Sequence, residues 1–142
     1  RHGVSLPCPS ADAMTAFLSE NFKGANHPRI THAETGHVTL ELPCGPAELR
    51  PGGFISGPTM MAMADTCGLM GVFSHTGLTQ PAFTTALSID FLRPAKGERL
   101  LAEADVIKFG RTLSVINVTM RGSDQEKPSA KAVVTYATAT GS

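Results

Sequence analysis

Between Arg50 and Arg93 the chain has no lysine or arginine, and only Asp65 and Asp90 carry an ionised side chain in that interval. The whole sequence lacks net charge, with 12 basic against 12 acidic side chains, so attraction to nucleic acid or to an anionic membrane surface is excluded as the basis of function. Cysteine is scarce. Cys8, Cys44 and Cys67 are odd in number and have no CxxC spacing, which argues against a disulfide framework and a zinc site and fits a reducing cytoplasm. A transmembrane span is missing too: the apolar run over residues 58–74 is nearly long enough, but Asp65, its glycines and its hydroxyls mark it as a core helix. The opening RHGVSLPCPS lacks the apolar region of a signal peptide, and a start at Arg1 instead of Met is expected of a trimmed chain. There is no internal repeat and no low-complexity segment. The 142 residues suit a single domain over 1–142, with 1–28 as an N-terminal helical extension.

What is present is read from its punctuation. Ser10 is placed to cap a short helix through AMTAFLSENF that ends at Gly24, and His27-Pro28 break the chain after it. Residues 30–42, ITHAETGHVTLEL, alternate in their second half and predict one or two strands with a turn at Gly36. A loop rich in Gly and Pro then leads to the long helix, with Gly57 expected as its N-cap and Pro58 as its first residue. His75 and Gly77 close that helix in the expected order, a cation-capable residue followed by glycine. Four strands follow over about residues 82–92, 99–109, 112–121 and 130–140, with a tight link at 109–111 and a longer polar turn at 122–128. In the first of them strict alternation puts Thr85, Leu87, Ile89 and Phe91 on one face and Thr84, Ala86, Ser88 and Asp90 on the other. The helix is apolar nearly all round, with Ala62, Ala64, Gly68 and Gly71 allowing close approach, so the sheet is expected to wrap it in an α+β fold.

Asp65 is the conspicuous residue. A carboxylate within an apolar helix costs several kcal/mol unless something compensates it, and its helical neighbours Met61, Ala62, Gly68 and Leu69 offer it no partner. Either backbone N–H groups or a distant strand satisfy it, or it serves a function.

The glycine at the helix start, the Asp eight residues later and the strand ending in FLRPA resemble the hot-dog-fold acyl-CoA thioesterases of the phenylacetate-degradation and 4-hydroxybenzoyl-CoA thioesterase type, over about residues 36–140. The resemblance implies a hydrolase that cleaves acyl-CoA thioesters to free acid and coenzyme A. It assigns the oxyanion donor to the N–H of Gly57, the general base or nucleophile to Asp65, and the positioning of water to Thr84. Where the family has His-Gly-Gly this chain has Ser56-Gly57-Pro58, and where it usually has Asn or Gln this chain has Arg50. Ser56 and Arg50 are therefore candidates for substrate binding, Arg50 either to orient the acyl group or to bind a phosphate, while Arg93, Lys108 and Arg111 resemble positions that hold the nucleotide end of coenzyme A. No metal and no cofactor apart from the substrate's own coenzyme A is implied. The partners implied are an acyl-CoA and a second copy of the chain in a homodimer, which can pair further into a tetramer; nucleic acid and membrane are not implied.

Chemistry alone asks for the same groups. Thioester hydrolysis needs a donor where charge develops on the carbonyl oxygen and a carboxylate that activates water or attacks directly. Gly57 offers an N–H at the positive end of a helix with no side chain in the way, whereas Pro58 offers none. Eight helical residues span about 12 Å, too far for one carbonyl to touch both Gly57 and Asp65. A working site thus takes Gly57 from one chain and Asp65 from another, across a two-fold axis. Two other readings stand beside this one: a module that binds acyl-CoA without turnover, and a hot-dog hydratase or dehydratase, for which His75 is poorly placed. His32, Glu34 and His37 read as a polar strand edge, Asp90 as a partner of a cation such as Arg93 or as facing solvent, and Met60, Met61, Met63 and Met70 as core filling, with one or two available to an acyl pocket.

Overall fold

The computed structural model describes residues 4–24, 26–79 and 81–138. Ser10 caps the first helix as expected, its Oγ accepting from the N–H of Ala13 at 3.1 Å, and α1 (Ala11–Asn21) ends three residues before Gly24. β1 (Arg29–Glu34) and β2 (His37–Pro43) form a hairpin. Its turn falls at Gly36, whose φ of +87° only glycine adopts without strain. After a short 3₁₀ turn at Pro46–Glu48 comes α2 (Gly57–Thr76), the 20-residue central helix. Its N-cap is Ser56 instead of Gly57: the Ser56 Oγ accepts from the N–H of Thr59 at 3.2 Å, which moves Gly57 and Pro58 into the first two helical positions. Gly77, at φ +79°, closes the helix behind His75.

The remaining strands are β3 (Ala82–Phe91), β4 (Arg99–Phe109), β5 (Leu113–Gly122) and β6 (Ala130–Thr138), with expected positions 139 and 140 lying outside the described residues. All six strands pair antiparallel in the order β1-β2-β4-β5-β6-β3. The sheet curls around α2, which buries Met60, Met63, Ala64, Cys67, Met70 and Val72 against the inner faces of Val38, Leu40, Leu100, Ala104, Ile116 and Val134. This is the hot-dog architecture. Two glycines set the closeness of that contact. A Cβ on Gly71 would stand 3.3 Å from Ile116, and one on Gly68 would stand 2.8 Å from the Tyr136 hydroxyl oxygen. Ala62, by contrast, is exposed and makes no room for the sheet, and Met61 is 45 % exposed instead of filling the core. Helix α1 covers one end of α2, burying Met14 and Leu18 and setting the Phe17 ring edge-on to Phe73 at 5.2 Å.

The two sheet edges differ. β1 carries a bulge at Thr31 and lies under α1. Among the described residues nothing pairs with the outer edge of β3, and none of its ten residues is buried. Its expected alternation also breaks, because a bulge lies between Thr84 and Ala86: Thr84 pairs with Tyr136 and Leu87 with Val134, so Thr84 shares the helix-facing side with Leu87 and Ile89 instead of opposing them. Among the described residues no helix is long and apolar enough to cross a membrane.

Candidate active site

Asp65 stands midway along α2, half-buried where the helix runs beside β3 and β6. Its Oδ1 accepts two hydroxyl hydrogen bonds, from Thr84 Oγ1 at 2.6 Å and from the Tyr136 hydroxyl at 2.9 Å. The Tyr136 hydroxyl also reaches the backbone carbonyl oxygen of Asp65. The partners are therefore on distant strands, as the lack of helical neighbours required. Both are neutral donors, so the charge is hydrogen-bonded but not cancelled by a cation. Burial, and then the nearby Asp65 charge, push the Tyr136 phenol far above its ordinary range, which keeps it a donor at any working pH. The bulge at Thr85 does the aiming for Thr84; bulges commonly redirect a side chain in this way next to a site.

The second half of the site lies at the helix start. Ser56 donates its N–H to the Glu48 carbonyl at 2.9 Å, Thr59 Oγ1 donates to the same carbonyl at 3.0 Å, and Ile55 donates to Ala95 at 2.9 Å. These bonds clamp the helix entrance to both flanking loops. The Ser56 hydroxyl is committed to the cap and to Thr59 Oγ1, 2.7 Å away. Gly57, now the first helical residue, opens onto a pocket of about 420 Å³ that is also lined by Arg50, Phe54, Met60, Phe91 and Arg93. A Cβ on Gly57 would touch the Phe91 ring at 3.7 Å, an ordinary contact, so the fold does not demand glycine there. Gly57 and Asp65 remain about 12 Å apart on one continuous helix.

The remaining candidates divide between the two ends of β3. Arg50 and Arg93 share the pocket of Gly57 beside Phe91, and Arg93 Nη1 donates to the Pro128 carbonyl. Lys108 and Arg111 sit at the β4–β5 turn, which the Thr138 N–H reaches through Thr112 O at 3.0 Å; since Thr138 pairs with Ala82, they lie at the Thr84 end. One chain does not bring all four cations together. Asp90 is exposed to solvent, as expected, and lies opposite Lys131 in the strand register. His32 bonds Glu34 at 2.9 Å and His37 bonds Asp105 at 2.7 Å along the exposed strands. His75 is at the far end of α2, stacked on Phe109 at 4.4 Å with Ser5 Oγ 2.6 Å from its Nδ1, and burial pushes its pKa down. Tyr136 escaped the sequence reading. A signal existed: a lone tyrosine in phase with Ala132 and Val134 on a buried strand face must find a polar partner, and Asp65 was short of one.

The model of the thioesterase superfamily matches residues 52–129, more than half of the 142-residue chain. The chain belongs to that superfamily. Among solved structures of similar fold, a protein of Silicibacter sp. TM1040 provisionally described as a thioesterase is 33 % identical, with 97 % of each chain covered and a TM-score of 0.85. The protein smu.793 of Streptococcus mutans, solved with acetyl-CoA bound, is 26 % identical over 80 % of this chain and 90 % of that one, with a TM-score of 0.71. A mutant thioesterase of Pseudomonas aeruginosa is 22 % identical over 96 % and 98 %, with a TM-score of 0.83, a likeness of fold. No curated relative matches the chain. Within this thioesterase-superfamily chain the matched segment takes in Gly57, Asp65 and Thr84 and leaves out Arg50 and Tyr136.

Proposed function

We propose that the protein hydrolyses acyl-CoA thioesters to the free acid and coenzyme A, with Asp65 as general base or nucleophile and the Gly57 N–H of a second copy as oxyanion donor. The observation that carries this reading is the half-buried Asp65 carboxylate, hydrogen-bonded by Thr84 and Tyr136 and, among the described residues, paired with no cation. Such a carboxylate is stabilised enough to persist and free enough to act. The acetyl-CoA bound to the Streptococcus mutans relative supports the choice of ligand.

Symmetry supports the shared site. Gly57 and Asp65 are equidistant in sequence from Met61, which lies exposed on the helix face that also carries Pro58 and Ala62. Thr84 and Phe91 lie toward opposite ends of β3. Two copies joined by antiparallel β3 edges and antiparallel α2 helices would put the Phe91 end of one chain beside the Thr84 end of the other, and Gly57 beside Asp65. The same operation would gather Arg50 and Arg93 of one chain with Lys108 and Arg111 of the other at one mouth, suited to the phosphates of coenzyme A. Exposed Phe83, Phe91 and Leu92 would be covered in the process. Further pairing of dimers into a tetramer is compatible with this arrangement, and three free thiols suit a reducing, cytoplasmic setting.

A panel of acyl-CoA substrates with detection of the released thiol, run on the parent and on Asp65→Asn, tests the proposal. Thiol release by the parent and its loss in the variant supports it; no release from any substrate sinks it. One feature favours a second reading, acyl-CoA binding without turnover: Pro58 at the second helical position removes a donor from the helix end. Calorimetric binding of acyl-CoA with no thiol release would select that reading.

A further inference from the structure

We infer that Tyr136 is a positioning residue of this site: its hydroxyl, together with that of Thr84, fastens Oδ1 of Asp65 and leaves Oδ2 as the oxygen that meets water or the thioester carbonyl. The inference rests on the proposed role of Asp65 and adds to it which oxygen reacts and what holds the other. Both donors converge on Oδ1, at 2.6 and 2.9 Å, and among the described residues no protein donor reaches Oδ2. The single proton of the Tyr136 hydroxyl is shared between Oδ1 and the Asp65 main-chain carbonyl, so one bifurcated contact ties the side chain to its own backbone and restricts rotation about the Cα–Cβ bond. The ring behind that hydroxyl is 1 % exposed. It is seated only because residue 68 is glycine, where any Cβ would lie 2.8 Å from the hydroxyl oxygen and 3.0 Å from Cε2.

Packing alone does not account for this arrangement. A phenylalanine would fill the same space without a buried hydroxyl to satisfy. Nor is Thr84 brought to Oδ1 by regular pleating; a bulge is required. Two neutral donors on one oxygen leave the other oxygen available. The other titratable group beside the Tyr136 hydroxyl is Cys67 of α2, whose thiol pKa burial pushes up.

Tyr136 is the only tyrosine of the chain, so biosynthetic 3-fluorotyrosine places one ¹⁹F probe beside Asp65 without changing the packing. The ¹⁹F resonance should titrate with the same midpoint as the acid limb of kcat. In Tyr136→Phe, kcat should fall about tenfold, the loss expected for one hydrogen bond to a charged group, with KM held within about twofold. The acid limb should move to higher pH, because a donor to the ionised form has gone. A ¹⁹F resonance that does not titrate, or a Tyr136→Phe enzyme with parental kcat and an unmoved acid limb, would reduce Tyr136 to a core hydrogen bond and overturn the inference. If Tyr136→Phe does not fold, the fluorotyrosine titration decides alone. It also decides if the parent releases no thiol, in which case the functional reading fails while the clamp is still judged on its own.

Discussion

At the scale of the residue, the proposed chemistry turns on a carboxylate that two hydroxyls hold and that, among the described residues, pairs with no cation. Asp65→Asn keeps the shape and can still accept from Thr84 and Tyr136, so the fold and acyl-CoA binding should survive. If Asp65 is the base, kcat should drop by at least about a hundredfold, the low end for a general base. Thermal melts belong beside the kinetics: a variant that melts early, while its folded fraction keeps full specific activity, would make Asp65 structural. The cations predict a different signature. Lys108 and Arg111 sit at a turn away from any reacting atom, so replacing both with Ala should raise KM for an acyl-CoA with kcat little changed, since that binding is common to ground and transition states. A pantetheine thioester, which lacks the nucleotide, should show no difference between parent and variant. Equal KM values for the full substrate would move the nucleotide site elsewhere. Arg93 is a less clean probe because it also holds the Pro128 carbonyl and hence the β5–β6 turn.

At the scale of the element, α2 illustrates what a sequence can and cannot show. Its length, its apolar surface and the His75–Gly77 stop were legible, because they depend on local composition. Its cap was misplaced by one residue. Gly57 and Ser56 are both acceptable N-caps, and the choice falls to Ser56 because Glu48, on a loop eight residues upstream, accepts from Ser56 and Thr59. The face of Thr84 was unreadable for a related reason. Alternation assumes two residues per pleat, and a single bulge, stabilised by pairing with β6 and not by anything within β3, reverses the sides of everything before it. Met61 was assigned to the core by its chemistry, which does not distinguish a surface facing another element from one facing another molecule. The end of α2 carries its own prediction. A helix C-terminus favours a protonated histidine, but burial against Phe109 wins and lowers the His75 pKa in the folded state. A histidine depressed on folding takes up its proton more readily when unfolded, so its contribution is present above the ordinary histidine pKa and is lost as pH falls through it. The melting temperature should therefore drop between about pH 7.5 and pH 5.5. His75→Gln should flatten that slope, and an unchanged slope would refute the assignment.

At the scale of the whole molecule, the single chain is geometrically unfinished. It ends its sheet on an unpaired ten-residue strand, exposes Met61 on its central helix, and keeps Gly57 and Asp65 about 12 Å apart on that helix. The proposed two-fold operation would answer all three at once, whereas a site within one chain would answer none. The consequence is quantitative. Let Asp65→Asn chains be co-expressed with chains blocked at the other half by Gly57→Val. Each homodimer carries two dead sites. Each mixed dimer carries one site with both lesions and one with neither, because the Asp65→Asn chain still supplies an intact Gly57 and the Gly57→Val chain an intact Asp65. Random assortment makes half of the dimers mixed and half of their sites whole, so the co-expressed pool should recover about a quarter of parental activity. Mixed dimers purified with two different affinity tags should reach about half. Recovery must disappear when Met61→Glu is placed in both chains, since two like charges would then face each other across the axis and separate the copies. Purified mixed dimers that remain inactive would show that each chain builds its site alone, and the geometry of α2 would have to be satisfied by another donor on the Asp65 side of the same molecule.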